Sequence, residues 1–265
     1  MLSIIIVNFK NPPLLRLCLK SLLKATKNLE SEIIVIDSES EFETENMVSQ
    51  EFKEVRFLGF KENVGYTKGV NEGLKNSKGD YFLILNPDII PIEDSIAKII
   101  SFIKNNPDVG LVGPKLLNFD GSPQNSCFRF YKPKTILYRR TFLGKLPWAK
   151  KELDRFLMRD VDLTKTCQAD WLMGSALALS RESFKKIGLL DENLFLYMSE
   201  VDWAKRFWEN GYKVIYSPEA EMYHYHKRSS RAGFGVLDVL FRKESRWHLA
   251  DAVRYFLKHG IKNNR

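Results

Sequence analysis

Long apolar runs are missing from this chain. None of its 265 residues lies in a segment that approaches the roughly 18 consecutive apolar residues needed to cross a bilayer. The opening residues 1–9 are too short for the core of a signal peptide and carry no basic flank. We therefore expect a cytoplasmic protein.

Cysteine motifs and glycine-rich phosphate loops are absent too. The three cysteines, at positions 18, 127 and 167, are odd in number and lack metal-ligand spacing, so we expect reduced thiols that serve packing. No segment has the spacing of a dinucleotide-binding loop or of a Walker A loop. Dinucleotide and ATP-type sites are therefore not supported.

The composition that remains is that of a globular α/β protein. With 44% hydrophobic residues, the chain can bury the core of one large domain. Short apolar runs alternate with helical patterns, which predicts a mostly parallel sheet with right-handed crossovers. The first four predicted strands are Ser3 to Val7, Glu32 to Ile36, Val55 to Leu58 and Tyr81 to Leu85.

Polar residues follow three of these strands. The first strand runs into Asn8, the second into Asp37, and the fourth into Asn86, Pro87 and Asp88. Ligands of open α/β sheets bind outside the carboxyl ends of the strands, so the three ends together predict a site. Asp88 is in the right place to hold a metal-bound ligand, whereas Asp37 alone could equally cap an Asx-turn.

The segment NVGYTKGVNEGL, residues 63–74, has a glycine at every fourth position. On a helix, Gly65, Gly69 and Gly73 would leave one face almost bare, although each costs about 1 kcal/mol relative to alanine. Close backbone approach explains this cost, either to a strand packed against the helix or to a nucleotide. In the second case, the residues available to the nucleotide or its pyrophosphate are Asn63, Gly65, Lys68 and Asn71.

A second informative block covers residues 170–230. It predicts a small-residue strand over 175–179 and helices over 181–187 and 199–210. Ser199 and Asp202 have capping-box spacing, and acids such as Glu200 in a first turn stabilise a helix through its dipole. The aromatic residues around this turn could instead raise a carboxyl pKa towards that of a general base. Position alone leaves both interpretations open.

The net charge of +8 is concentrated in two segments. Residues 132–159 contain nine Lys or Arg against two Asp or Glu, and residues 227–265 contain ten against three. The motif-bearing remainder is acidic, which argues against nucleic-acid binding and favours an anionic lipid surface or a phosphate-bearing substrate. Residues 241–260 predict a basic amphipathic helix that binds a membrane interface or a partner, or docks on the domain.

Seven motifs stand in the order of a known family. They are the first strand with Asn8, VID ending at Asp37, NVGYTKGVNEGL, NPD, W-x-x-G-S-A from Trp171, GLLDENLFLYMSEVDW and PEAEMYHYH. Over about residues 2–231 the chain resembles a family two glycosyltransferase of the rhamnosyltransferase-like branch. The resemblance implies a GT-A fold (Rossmann-like, with a mostly parallel central sheet flanked by helices), a nucleoside-diphosphate sugar donor, a divalent cation and inversion at the anomeric carbon.

The resemblance also implies how a UDP- or dTDP-sugar is held. Asp37 takes the base or ribose, helped by main chain near Val7 and Asn8 and by Asn63. The residues expected at the nucleotide sugar are Val7, Asn8, Asp37, Asn63, Gly65, Lys68, Asn71 and Asn86.

The resemblance also implies which residues bind the metal ion and which residue acts as the general base. Asp88 is the metal-binding carboxylate of a DxD-like motif in which Asn86 replaces the first acid. His224 supplies another ligand, and imidazole suits Mn²⁺ better than Mg²⁺. Glu200 takes the general-base position, where the family usually has Asp, and Asp202 is the second candidate. The acceptor-side residues are Trp171 and Gly174.

We expect a catalytic domain over residues 1–231, with a nucleotide-sugar half to about residue 115 and an acceptor half after it, and a basic helical tail over 232–265. The expected reaction moves rhamnose or a similar hexose to a saccharide or lipid-linked saccharide at the inner face of the cell membrane, in cell-surface polysaccharide assembly. A non-catalytic nucleotide-sugar-binding or scaffold protein is the alternative. A nucleotidyltransferase is less favoured, because the loop NFKNPP after the first strand is not glycine-rich.

Overall fold

A central sheet organises the computed structural model, which describes residues 1–225 and 243–260. Within that part of the chain the sheet has nine strands, and two short strands form a separate pair. The sheet strands are β1 (Leu2–Phe9), β2 (Ser31–Ser38), β3 (Arg56–Gly59), β4 (Tyr81–Leu85), β5 (Ile89–Pro91), β6 (Val109–Leu117), β8 (Cys167–Gln168), β10 (Ala176–Ser180) and β11 (Lys213–His224). The separate pair is β7 (Cys127–Phe128) and β9 (Trp171–Leu172).

Helices cover both faces of this sheet. They are α1 (Pro12–Ala25), α2 (Phe42–Glu51), α3 (Gly65–Asn76), α4 (Ser95–Asn105), α5 (Pro133–Arg140), α6 (Pro147–Phe156), α7 (Arg181–Ile187), α8 (Ser199–Glu209) and α9 (Lys243–His259). A 3-10 turn at Phe142–Lys145 joins α5 to α6. The predicted alternation of strands and helices is confirmed.

Six of the nine strands of the sheet run in one direction. The order is β3-β2-β1-β4-β10-β6-β11-β5, and β8 pairs with β11. The first four strands in this order are parallel, as predicted. Strand β10 runs antiparallel to both β4 and β6, and β11 is antiparallel to β5 and β8 but parallel to β6. Only β5, β8 and β10 are therefore reversed, and the predicted mostly parallel sheet is confirmed. Small residues let β10 fit between its neighbours, but they do not encode its direction.

Strand β1 is buried on both faces, which explains its continuous apolar sequence. Ile4 and Ile6 pack on one side of the sheet with Leu15 of α1, whereas Ile5 and Val7 lie in the core on the other side. Successive side chains of a strand point to opposite faces, so one strand contributes to both layers of the core.

The glycines of α3 pack against β1. A Cβ atom on Gly69 would lie 2.7 Å from Val7 Cγ1, and one on Gly73 would overlap the side chain of Ile5. Of the two interpretations of this glycine face, packing on a strand is therefore correct, and approach to a nucleotide is wrong for Gly69 and Gly73. The remaining glycine, Gly65, has a φ of 76° and is covered by Phe195.

Helix α9 lies within residues 241–260, the segment whose sequence predicts a basic amphipathic helix. Val253 and Leu257, two of its apolar residues, are exposed. The buried positions are Ser245, Asp251, Ala252 and Tyr255. Ala252 and Tyr255 pack in the apolar core, and Asp251 adds polar contacts that apolar periodicity does not record. The predicted boundary at residues 231 and 232 lies outside the described residues.

Membrane-spanning segments were not expected. Across residues 1–225 and 243–260, no helix is both long and apolar enough to cross a bilayer.

Candidate active site

The ends of β1 and β2 meet through their polar residues. Asn8 and Asp37 are partners in the strand register, and Asn8 Nδ2 donates to Asp37 Oδ1 at 2.7 Å. Ser40 Oγ donates to Asp37 Oδ2 at 2.6 Å. Burial raises the pKa of Asp37, while these two hydrogen bonds act in the opposite direction. Both carboxylate oxygens of Asp37 are thus already engaged within the protein.

Buried polar atoms without partners collect at this edge of the sheet. Among the described residues, Asn8 Oδ1, Asp88 Oδ1 and Ser175 Oγ are buried without a hydrogen bond. Asn8 lies near the end of β1, Asp88 follows β4, and Ser175 precedes β10. Asn86 N donates to Ser175 O at 2.9 Å. A buried polar atom left unpaired costs about 1–3 kcal/mol. Three such atoms at one edge indicate a site that a ligand completes.

Asp88 and His224 face each other at this edge. Strand β11 pairs with β5, which opposes His224 to Ile89, and Tyr225 N donates to Asp88 O at 3.0 Å. As a result, His224 Nε2 lies 3.6 Å from Asp88 Oδ2. Burial raises the pKa of Asp88 to about 6.

The donor set of this pair fits a divalent cation. It offers a carboxylate oxygen with no hydrogen bond and an imidazole nitrogen, both of which are metal ligands. The described part of the chain holds no group of three or more His, Cys, Asp or Glu side chains placed to bind a metal ion. A cation here would need further ligands from a bound diphosphate and water.

Glu200 stands in the first turn of α8 among aromatic residues. The charge of Glu200 helps to raise the pKa of both Tyr66 of α3 and Tyr131, which precedes α5. Ser199 Oγ lies 3.4 Å from Glu200 Oε2. Burial, with a smaller contribution from the charge of Asp251 on α9, raises the pKa of Glu200 to about 7. This carboxylate can therefore exchange a proton near neutral pH, as a general base must.

Asp202 is excluded as a base by its partners. Arg206 Nε is 2.9 Å from Asp202 Oδ2, and both His259 Nε2 and Lys258 Nζ are 2.7 Å from Oδ1. Burial alone would raise the pKa of Asp202, but these hydrogen bonds and charges hold it at about 2. The prediction of Asp202 as second base is wrong, and so is its capping box, because the carboxylate joins α8 to α9 instead.

A carboxylate on α9 also fixes the segment that leads to Glu200. Asp251 is fully buried, and it accepts hydrogen bonds from the backbone amides of Phe195, Leu196 and Tyr197 at 3.2, 3.1 and 2.9 Å. These three residues lie directly before α8. Helix α9 is therefore part of the structure that positions the candidate base. Sequence analysis missed Asp251, and no motif marks it.

Two residues that were predicted to contact the nucleotide sugar, Asn63 and Asn71, form hydrogen bonds within the protein instead. Asn63 Oδ1 accepts hydrogen bonds from Gly65 N and Ser38 Oγ, which secures the start of α3. Asn71 is fully buried, and its amide bonds both the N–H and the C=O of Leu190. The structure thus gives Asn71 the role of holding a loop, and its predicted contact with the donor is wrong. Lys68 is exposed on the same helix.

The two acceptor-side residues are buried. Trp171 stacks on Phe128 at 4.4 Å, and its Nε1 donates to Arg129 O at 3.0 Å, so it belongs to the core. Gly174 O accepts a hydrogen bond from Tyr66 Oη at 2.5 Å. The prediction that Trp171 lines the acceptor surface is wrong, because an indole in an aromatic stack buries its faces. Through Tyr66, Gly174 remains connected to the surroundings of Glu200.

Phe9 is a candidate site residue that the sequence analysis does not include. Its ring is 47% exposed at the end of β1, one residue after Asn8. Large exposed apolar side chains at a strand end beside a polar cluster are available for stacking. Its position after a buried strand was a usable signal.

Comparison with known proteins decides the family. The family model for glycosyl transferase family 2 matches residues 3–187. The chain belongs to this family. Its GT-A fold and its resemblance to rhamnosyltransferases are also confirmed.

Two curated relatives of this family 2 member are rhamnosyltransferases. The N-acetylglucosaminyl-diphospho-decaprenol L-rhamnosyltransferase of Mycobacterium tuberculosis is 27% identical over 241 residues, which cover 86% of this chain and 77% of the relative. Rhamnosyltransferase WbbL of Escherichia coli K12 is 24% identical over 204 residues, covering 74% and 69%.

A solved structure shares the fold. GalNAc-T7 with UDP, GalNAc and Mn²⁺ matches with a TM-score of 0.67 at 17% identity. The match covers 88% of this chain but only 44% of that protein. At this identity the likeness shows the fold alone.

Proposed function

We propose that this family 2 glycosyltransferase moves rhamnose or a similar hexose from a UDP- or dTDP-sugar to a hydroxyl of a saccharide acceptor, with inversion. The observation that carries the proposal is the placement of Asp88 and His224 at the edge where buried polar atoms lack partners. The names of the two curated relatives support rhamnose as the sugar.

The donor would lie along the ends of β1, β2 and β4. Asp88 and His224 would hold Mn²⁺ or Mg²⁺, which when bound neutralises the charge of the leaving diphosphate. Phe9 offers an exposed ring on which the nucleobase of the donor can stack, next to Asp37 and the main chain at Asn8. Asn86 lies between these groups at the end of β4.

Glu200 would act on the acceptor. Its carboxylate takes the proton of the acceptor hydroxyl while that oxygen attacks the anomeric carbon. The bond between this carbon and the diphosphate oxygen breaks on the opposite face, so the configuration inverts. The elevated pKa of Glu200, about 7, makes its carboxylate basic enough to hold the proton that it receives.

Donor binding tests this proposal first. In a thermal-shift panel of UDP- and dTDP-sugars, we expect one nucleotide to raise the melting temperature, and Mn²⁺ to enlarge that shift, because ligands of the native state stabilise it. The same donor should then support transfer to a saccharide acceptor. A metal-dependent shift without transfer to any acceptor would favour the non-catalytic binding protein, and no shift at all would remove the donor site.

A basic surface with exposed apolar side chains supports a lipid-linked acceptor. Of the eleven large apolar residues exposed in the described part of the chain, six lie on two neighbouring regions. These six are Leu137, Phe142 and Trp148 around α5 and α6, and Leu249, Val253 and Leu257 on α9. Arg139 and Arg140 at the end of α5 act electrostatically on His248 of α9, so the regions adjoin. Basic residues that surround apolar ones are typical of binding to anionic membranes.

Charge reversal tests this surface. We expect the protein to sediment with anionic vesicles, and a variant with Glu in place of Lys150, Lys151, Lys243 and Arg246 to stay in solution. The control places Glu at four exposed lysines elsewhere, namely Lys20, Lys24, Lys27 and Lys98. Equal sedimentation of both variants would contradict membrane binding through this surface.

A further inference from the structure

Gln124 binds the predicted metal ligand at two points. It follows the turn that joins Leu117 to Pro123 after β6. Its Nε2 donates to the main-chain oxygen of His224 at 2.8 Å, and its Oε1 lies 2.8 Å from His224 Nδ1. One side chain, 100 residues away in sequence, thus fixes both the backbone and the ring of His224.

The hydrogen bonds determine which way the Gln124 amide points. Besides the His224 oxygen, Nε2 donates to Asn118 Oδ1 at 2.8 Å. Asn118 must present its oxygen there, because its own Nδ2 donates to the main-chain oxygen of Ser122 at 3.3 Å. Carbonyl oxygens accept hydrogen bonds and do not donate them. The nitrogen of Gln124 therefore faces these acceptors, and its Oε1 faces the imidazole.

This orientation determines the tautomer of His224. An amide oxygen can only accept, so His224 Nδ1 must carry the proton that it donates to Gln124. A neutral imidazole has one N–H, which leaves a lone pair on Nε2. Nε2 is the atom that lies 3.6 Å from Asp88 Oδ2, so a cation held by Asp88 would meet the nitrogen that carries the lone pair.

We propose that Gln124 is a positioning residue that sets the tautomer and orientation of His224 for a divalent cation. The inference rests on the proposed metal-dependent function. Groups that hydrogen-bond the far side of a metal-bound imidazole commonly change metal affinity by about 10- to 100-fold. Gln124 takes this role although it lies outside the family motifs quoted above.

Three variants test the role of Gln124. Gln124→Leu removes both hydrogen-bonding groups, Gln124→Glu keeps an oxygen that can accept from Nδ1, and Gln50→Leu makes the same change as the first at an exposed position of α2. The tautomer is read from long-range ¹H–¹⁵N spectra of the metal-free protein, in which His224→Gln assigns the signals. Mn²⁺ binding is measured by electron paramagnetic resonance, and folding by thermal melting.

We expect the wild type and Gln124→Glu to show the proton on Nδ1 and to bind Mn²⁺ within about threefold of each other. Gln124→Leu should lose this tautomer and bind Mn²⁺ about 10- to 100-fold more weakly. A proton on Nε2 in the wild type, or unchanged tautomer and Mn²⁺ affinity in Gln124→Leu, would overturn the proposal. Equal loss in Gln124→Leu and Gln124→Glu, with equal loss of melting temperature, would also overturn it.

The outcome separates this role from the function itself. A wild type that binds Mn²⁺ with the expected tautomer but transfers no sugar refutes the proposed function and leaves the role of Gln124 standing.

Discussion

Glu200→Gln is expected to lower the rate of sugar transfer by about 10²- to 10⁴-fold, the usual contribution of a general base. Donor affinity should stay within about twofold, because Glu200 is proposed to contact the acceptor, whereas the ends of β1 and β2 are proposed to hold the nucleotide. Initial rates and donor titrations on the same preparations measure both quantities.

The pH dependence of the transfer rate tests the role of Glu200 as general base independently. Burial raises the pKa of Glu200 from 4.5 to about 7, so the base form gains population as pH rises through 7. Transfer by the wild type should therefore increase with an apparent pKa near 7, and the residual rate of Glu200→Gln should lack this rise.

The stability of the folded protein should fall as pH rises, whereas the rate of transfer should increase. Between pH 4.5 and about 7 the folded protein holds a proton at Glu200 that the unfolded chain has lost. The contribution of Glu200 to stability therefore falls as pH rises across this window. The melting temperature of Glu200→Gln minus that of the wild type should therefore be more positive at pH 8 than at pH 5.

Glu209→Gln is the matched control, since it changes an exposed residue of the same helix. It should alter neither transfer nor its pH profile. If Glu200→Gln lost donor binding and transfer to the same extent, Glu200 would be a structural residue, and the assignment of the base would fall.

The parallel half of the fold is readable from the sequence for a physical reason. Strands β1, β2 and β4 are apolar runs buried on both faces and end in polar residues, so their number, direction and common edge follow from pattern alone. Strand β10 carries small residues such as Ala176 and Ala178, which fit either direction. Its antiparallel pairing depends on the whole sheet, which local pattern does not record.

The candidate site likewise contains residues that could be predicted from the sequence and residues that could not. Asp88, Glu200 and His224 could be named because each stands in a short motif. Asp251 and Gln124 could not, since they act through hydrogen bonds to residues 54 and 100 positions away. The choice between Glu200 and Asp202 was open in the sequence. It is decided by Lys258 and His259, which reach Asp202 only after α9 has docked.

Asp88→Asn is expected to lower transfer by about 10³-fold, because a metal ion contributes several kcal/mol to the stabilisation of a leaving diphosphate. Asparagine keeps the shape of Asp88 but removes the charge that attracts the cation. Mn²⁺ affinity should fall by at least about 10²-fold. The melting temperature without metal should not fall, since Asp88 Oδ1 receives no hydrogen bond that the substitution could break.

The matched control for Asp88 is Asp160→Asn, at an exposed turn after α6. It should leave Mn²⁺ binding and transfer unchanged. Two results would count against a metal role for Asp88. One is transfer by Asp88→Asn that still requires Mn²⁺ at the wild-type concentration. The other is a loss of transfer accompanied by a comparable drop in metal-free melting temperature, which would mean that Asp88 supports the fold at the end of β4. Loss of transfer and of Mn²⁺ binding in a protein of unchanged stability is the combination that a metal ligand at this position requires.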